Sequence, residues 1–242
     1  MIQISVERKW ARLFSKNSRV GRSNTFFSFL KEIFMNLSRC IILILMTFVV
    51  NGCASTRSIT AENKQKIRSV KVNQSVNKTP DMFYLGPKMA VSAGFLGVLG
   101  VLAANNPNKS EADLLLGFAE ENSIYIDKIV YEEVSKAARQ VGKFEIIESA
   151  SHDVATLNIG IYLYGFSVPH GFSSELVPIL AIECNLVDPS GQVVWLDREQ
   201  VLSLGNPSNS FSLKDIEDNP KLIDAMWRVS AKTISEKLFN DM

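Results

Sequence analysis

The chain has 242 residues, 46% of them hydrophobic and 21% charged, and a formal net charge of +1 at pH 7. Residues 1–52 hold eight of the 26 basic and two of the 25 acidic residues, so residues 53–242 keep 18 basic and 23 acidic residues, a net charge of −5. A mildly acidic body without a basic cluster makes nucleic acid an unexpected partner. Residues 53–242 suffice for one domain with a sizeable core.

A short apolar run before residue 51 predicts a secretory signal. Arg39 supplies a positive charge, residues 41–50 are apolar, and Gly52 is the small residue before a cut, which together match the parts of a signal peptide. The run has about half of the roughly 20 apolar residues that a spanning helix needs, so a transmembrane anchor is the less favoured alternative. Residues 1–34 would lengthen the leader unusually, and a translation start at Met35 is the simpler interpretation.

The residues around the expected cut, Val50, Asn51, Gly52 and Cys53, resemble the lipobox of bacterial lipoproteins. The resemblance implies cleavage before Cys53, a thioether from Cys53 to diacylglycerol, and a fatty acyl chain such as palmitate on the new amino group. A thiolate is the side-chain nucleophile best suited to accept a glyceryl group. In this class an Asp after the Cys retains the protein in the inner membrane, so Ala54 implies an outer-membrane lipoprotein that faces the periplasm.

The first residues after Cys53 predict a tether. Residues 53–66 are almost entirely polar, and such a composition cannot bury enough surface to offset its ordering entropy. We therefore expect a flexible tether there and a single periplasmic domain over residues 67–242. Alternating Val residues predict a first strand within residues 67–76, and residues 82–85 predict a second strand after a Thr-Pro-Asp turn.

An uncharged apolar stretch over residues 89–104 has glycine at every third position, at Gly94, Gly97 and Gly100. It is too short to span a bilayer. A buried segment in which the glycines allow close backbone approach is the favoured interpretation. The functional alternative is a membrane-contacting or oligomer-forming segment, because small residues let apolar helices approach closely.

Three helices are predicted from caps and apolar spacing. Ser110 caps a short helix that has acidic residues in its first turn. Residues 126–141 keep the i, i+3, i+4 apolar spacing of an amphipathic helix, which Gly142 ends. Pro220 opens the last helix at its first position.

Strands predominate between the long helices. Residues 144–147 predict one strand, and residues 154–168 alternate between two faces. Residues 176–187 predict the next strand, which the turn Asp188-Pro189-Ser190-Gly191 joins to residues 193–196. We therefore predict an α+β fold, a mainly antiparallel sheet with two long helices packed on one face.

The alternation over residues 154–168 produces a candidate binding patch. It places Tyr162, Tyr164 and Phe166 together on the face opposite Leu157 and Ile161. Exposed aromatic side chains there could bind a peptide, a glycan or a partner protein. The alternative, which we favour, is that a helix covers them.

The sequence offers little for catalysis. Its two histidines, His152 beside Asp153 and His170 in a Pro-His-Gly turn, are expected to be polar surface residues. No His/Cys/acid set has the spacing of a metal site, no G-x-S-x-G elbow is present, and no phosphate-binding glycine motif occurs. Cys184 continues an apolar alternation and is expected to be a small buried side chain. We therefore predict a non-enzyme that has neither metal nor cofactor.

The order of elements carries a further resemblance. From Cys53 through a polar tether to the domain with the 188–191 turn and Val194-Trp195, the chain is similar to periplasmic auxiliary lipoproteins of ABC-type lipid transporters and to the amino-terminal domain of TolB. The resemblance implies an accessory or scaffold role in an envelope assembly or transport complex, with the membrane and an envelope protein as partners.

Two other functions stay open at this point. The first is a self-assembling pore or secretion component resembling CsgG, in which residues 89–104 would contact the membrane and the chain would form a homo-oligomer. The second, and weakest, is a hydrolase of cell-wall or lipid substrates. Deleting residues 89–104 and replacing both histidines would test these two alternatives.

Overall fold

The computed structural model describes residues 56–86, 108–148, 154–169, 173, 175–202, 209–240 and 242. The helices within these residues are α1 (Ala61–Lys66), α2 (Glu111–Glu121), α3 (Ile126–Val141), α4 (Leu213–Asp218) and α5 (Lys221–Asn240). The strands are β1 (Ser69–Val72), β2 (Asn77–Lys78), β3 (Phe83–Leu85), β4 (Glu145–Ile147), β5 (Ala155–Ser167), β6 (Glu175–Val187), β7 (Val193–Leu202) and β8 (Phe211–Ser212).

The sheet is built on the long antiparallel pair β5 and β6. Its strand order is β4-β1-β5-β6-β7, with β2 and β3 also paired to β5 and β8 paired to β6. The 188–191 turn joins β6 to β7 as predicted: the Asp188 carboxylate accepts hydrogen bonds from the backbone N–H groups of Ser190 and Gln192 at 2.9 Å each. Three antiparallel strands therefore form the half of the sheet nearest this turn.

The α+β class is confirmed, whereas its finer description differs from the prediction. The sheet is mixed, because β1, β2 and β3 all run parallel to β5, and β4 runs parallel to β1. The described residues form five helices, whereas three were predicted, two of them long. Alternation along one strand reveals which residues are buried but carries no information on the direction of the neighbouring strand, so the parallel pairings could not be predicted from it.

The chain from β1 to β3 follows β5 as one interrupted strand. Val70 lies opposite Ala155 and Phe83 opposite Gly165, so 13 steps along this chain match ten along β5. The surplus residues leave the ladder between the short strands. Gly165 is required at the last pairing, because a Cβ atom there would lie 1.8 Å from the Phe83 carbonyl oxygen.

The segment predicted as a tether is structured from residue 56. Arg57 exchanges two backbone hydrogen bonds with Leu196 on β7, of 2.7 and 3.0 Å. Ile59 is buried in the core, and the Thr60 hydroxyl caps α1 by accepting from the Asn63 N–H. Polar composition concealed these contacts, because one buried isoleucine and one backbone bridge do not alter the average hydrophobicity.

The predicted helix signals around residues 110 and 142 are confirmed. The Ser110 hydroxyl accepts from the Asp113 N–H, and the Asp113 carboxylate accepts from the Ser110 N–H, which makes a capping box. Gly142 adopts the left-handed conformation with φ of 63° and ends α3. A second capping box, Ser212 with Asp215, starts α4, which the sequence analysis did not predict.

Helices α3 and α5 are joined by one arginine. Arg228 on α5 donates to Glu132 and Glu133 on α3, at 2.8 and 2.9 Å, and to Asp224 one turn earlier on its own helix, at 3.2 Å. The Glu133 side chain is only 8% exposed. The carboxylates of Asp224, Glu132 and Glu133 raise the pKa of Arg228, so its guanidinium stays charged at any ordinary pH.

Several predicted features lie outside the described residues. These are the lipobox residues, the apolar stretch and the two histidines: Val50, Asn51, Gly52, Cys53, residues 89–104 with Gly94, Gly97 and Gly100, His152 and His170. Within the part of the chain that the structure describes, no helix combines the length and apolar character needed to cross a bilayer.

Candidate interaction surface on the sheet

A β-bulge at Tyr162 determines which aromatic residues are exposed. Ile161 pairs with Ile182 and Leu163 pairs with Ala181, so Tyr162 is an extra residue on β5. An extra residue shifts the alternation by one position. Tyr164 and Phe166 therefore lie on the same face as Ile161, while Tyr162 remains on the opposite face.

The predicted aromatic patch is therefore wrong for two of its three members. Tyr164 and Phe166 are both 0% exposed and contact Trp227 of α5. The Phe166 ring stacks on Trp227 with centroids 5.2 Å apart, and the Tyr164 ring meets it edge-on at 6.2 Å. The favoured alternative, that a helix covers these residues, is correct for this pair, whereas Tyr162 is 43% exposed.

Tyr162 lies in a shallow groove on the face of the sheet opposite α5. The groove has a volume of about 450 Å³ and crosses β2, β5, β6 and β7. We call it the open-face groove. Its lining residues are Asn77, Lys78, Thr79, Pro80, Gly160, Ile161, Tyr162, Glu183 and Arg198.

An ion pair beside an aromatic ring gives this groove its chemistry. Glu183 and Arg198 are cross-strand partners on β6 and β7 and form a salt bridge. The Arg198 guanidinium lies 5.9 Å from the centre of the Tyr162 ring, within the range of a cation–π contact. Burial is the main cause that raises the pKa of Tyr162, and the Arg198 charge opposes it, so the phenol stays neutral at physiological pH.

A ladder of asparagines continues the polar surface toward the 188–191 turn. Asn73 donates to Asn158, and Asn158 donates to Asn185, each at 3.0 Å. Asn158 and Asn185 are direct cross-strand partners on β5 and β6. These side chains fix one another and present amide groups in a row, which suits hydrogen bonding to a protein or sugar surface.

The described residues around the groove include no cluster of metal-binding side chains and no accessible thiol. No group of three or more metal-binding side chains occurs in the described ranges. Cys184, on the strand beside the groove, is completely buried on the other face, and burial raises the pKa of its thiol above the ordinary value. A protonated, inaccessible thiol is not a nucleophile.

Sequence reasoning missed Glu183, Arg198 and the asparagine ladder. A signal for them was present: Glu183 and Asn185 occupy the polar positions that alternate with Ile182, Cys184 and Leu186. The alternation shows which residues share the polar face, but it does not show that they form a site. Pairing of Glu183 with Arg198 further required the register of β6 and β7, which sequence alone does not supply.

Comparison with known proteins shows structural likenesses at low sequence identity. A protein of family DUF330 from Xanthomonas campestris shares 10% identity, with 78% of this chain and 86% of that chain covered and a TM-score of 0.39. The PelC dodecamer from Paraburkholderia phytofirmans also shares 10% identity, covering 78% and 94% at a TM-score of 0.37. Lipoprotein GNA1162 from Neisseria meningitidis shares 18%, covering 55% and 81% at a TM-score of 0.20.

The comparisons assign no role to any residue of this chain. No family model matches the chain, and no curated protein matches it. All three structural likenesses fall below 25% identity and below a TM-score of 0.5. We transfer no site and no activity from them.

Proposed function

We propose that this chain is a non-enzymatic lipoprotein, anchored by Cys53 to the outer membrane and facing the periplasm, that serves as an accessory or scaffold in an envelope assembly or transport complex. The lipobox resemblance at Val50, Asn51, Gly52 and Cys53 carries the proposal. It is supported by the contacts that fix Arg57 and Ile59 to the domain, a few residues after the proposed lipid. A protein built in this way presents a rigid domain at a bilayer.

The open-face groove is the surface by which we propose that it holds its partner. Tyr and Arg are the residue types most enriched among interface residues that dominate binding energy, and Tyr162 and Arg198 are both exposed here. Both are held in place, Arg198 by Glu183 and Tyr162 by the bulge. Such preorganisation lowers the ordering cost of binding a protein segment.

The experiment is co-purification from solubilised membranes. We expect the wild-type protein to retain a partner that the double variant Tyr162→Ala, Arg198→Ala loses by at least about tenfold, which corresponds to roughly 1.4 kcal/mol. Tyr125→Ala is the matched control, because Tyr125 is 38% exposed and also contacts a cation, Lys128. Equal retention by the double variant and the control would contradict the groove as the partner site.

Self-association is a separate outcome of the same preparation. The alternative of a self-assembling pore or secretion component depends on residues 89–104, which lie outside the described residues. A defined large oligomer that is lost on deleting residues 89–104 would favour the pore or secretion component. An unchanged monomeric size would favour the accessory lipoprotein.

A further inference from the structure

The amino-terminal end of the described chain is fixed to one edge of the sheet. Arg57 bonds through its N–H and its C=O to Leu196 of β7, and Ile59 enters the core two residues later. Thr56, Arg57 and Ser58 line a small cleft with Asp197 and Glu199, among other β7 residues. The chain therefore enters the fold along the outer edge of β7.

The chain between this edge and Cys53 is short. Arg57 is four residue steps after Cys53, and a fully extended chain spans at most about 3.3–3.6 Å per residue, or roughly 14 Å in all. A domain of about 185 residues has a radius of gyration near 16 Å and so a diameter of roughly 40 Å. A link this short cannot reach around such a body.

The sheet order places the opposite edge much farther away. β4 and β7 are the two ends of the path β4-β1-β5-β6-β7. Four spacings of about 4.8 Å separate them, roughly 19 Å across the sheet. A lipid held beside β7 therefore leaves β4 as the edge of the sheet that can lie farthest from the bilayer.

We infer that the β7 edge faces the bilayer that holds the lipidated Cys53, with β4 directed away from it. The inference rests on the proposed lipid anchor. It places the open-face groove, whose Arg198 belongs to β7, close to the membrane surface. A partner of the groove must then be reachable at that surface, as the soluble part of a membrane-embedded protein would be.

The short link, and not adsorption, maintains this orientation. Near Arg57 the β7 edge carries Asp197 and Glu199 beside Arg57 and Arg198, so it has no net positive charge that would attract anionic headgroups. Lengthening the link should therefore abolish the orientation while leaving the protein attached. A basic edge would have kept its contact through electrostatic attraction.

The experiment uses the full lipidated chain in vesicles of phosphatidylethanolamine and phosphatidylglycerol that carry an acceptor dye on the headgroups. A donor dye is attached at Gln200→Cys on β7 or at Glu145→Cys on β4, both exposed positions. The native Cys184 is buried and does not compete. We expect energy transfer at least about threefold higher from position 200 than from position 145, given the roughly 19 Å between the edges.

Two controls separate the orientation from the anchor. Flotation with the vesicles, lost in Cys53→Ser, reports the anchor alone. Inserting about ten Gly/Ser residues before Thr56 should make the two transfer efficiencies alike, because the flexible link then spans roughly 20 Å on average. Equal transfer in the floating, unextended protein overturns the orientation only, whereas failure to float overturns the proposed anchor and the orientation with it.

Discussion

Aromatic residues have different roles on the two faces of the β5–β6 pair. On the face covered by α5, Tyr164 and Phe166 are fully buried against Trp227. On the open face, Tyr162 keeps 43% of its surface exposed beside Arg198. The single extra residue at the bulge separates these roles, because it moves the following aromatics to the covered face.

The difference shows that aromatic content alone does not indicate a binding surface. The aromatic residues of the covered face stabilise the fold, whereas Tyr162 keeps 43% of its surface exposed and remains available to a partner. Substitutions on the two faces should therefore separate loss of stability from loss of binding.

Removing Trp227 tests the covered face most severely. Trp227→Ala should lower the free energy of unfolding by about 3–5 kcal/mol, because a fully buried ring that contacts two other aromatics is replaced by a cavity. Urea denaturation followed by circular dichroism measures the change. Val229→Ala, at a 51% exposed position of the same helix, should stay within about 0.5 kcal/mol of wild type. Similar losses for both variants would contradict the assignment of Trp227 to the core.

Placing a hydroxyl at Cys184 tests the polarity of the same face. Cys184→Ser should cost about 1–3 kcal/mol, because a buried donor without a partner loses its hydration. The Cys184 thiol of the folded protein should also resist thiol reagents and become reactive only on unfolding, since it is buried. Rapid labelling of Cys184 in the native protein would show that this strand face is open.

Cutting the Arg228 network tests the pairing of the helices over that face. Arg228→Ala should cost about 1–2 kcal/mol, less than a fully buried ion pair, because the Arg228 side chain is 38% exposed and solvent screens it. The matched control is Lys232→Ala, whose contact with Glu236 joins two side chains that are 60% and 53% exposed. That change should cost under about 0.5 kcal/mol. Equal losses of stability for the two variants would show that the contact between Arg228 and Glu133 does not stabilise the fold.

Truncating Tyr162 has the smallest expected effect on stability. Tyr162→Ala should change the free energy of unfolding by less than about 0.5–1 kcal/mol, because the bulge is fixed by the backbone and the ring is largely exposed. Partner retention in co-purification should nevertheless fall. A large loss of stability would place Tyr162 with the core aromatics and remove the contrast between the two faces.

Local signals in the sequence predicted much of the fold. The capping residue Ser110, the left-handed Gly142 and the 188–191 turn each act within a few residues, and all three are confirmed. The bulge at Tyr162 and the bridge from Arg57 to Leu196 depend instead on residues distant in sequence. No alternation pattern records such pairings, so the sequence could not separate Tyr162 from Tyr164 and Phe166, nor could it predict the contacts that Arg57 and Ile59 make with the domain.

The residues of the open-face groove divide in the same way between those that local sequence indicates and those that depend on strand pairing. Tyr162 could be chosen from its residue type, whereas its partners Glu183 and Arg198 come together only through the register of three strands. The asparagine ladder depends likewise on Asn73, which directly follows β1, lying next to Asn158 on β5 and Asn185 on β6. A surface composed across strands becomes visible only when those strands are paired.

Mass spectrometry of the amino-terminal peptide from the native membrane-bound protein tests the central claim most directly. The account predicts a chain that begins at Cys53, with a diacylglyceryl group on the sulfur and an acyl chain on the amino group. A chain that still carries residues before Cys53, or an unmodified Cys53 thiol, would contradict both the proposed membrane location and the orientation derived from it.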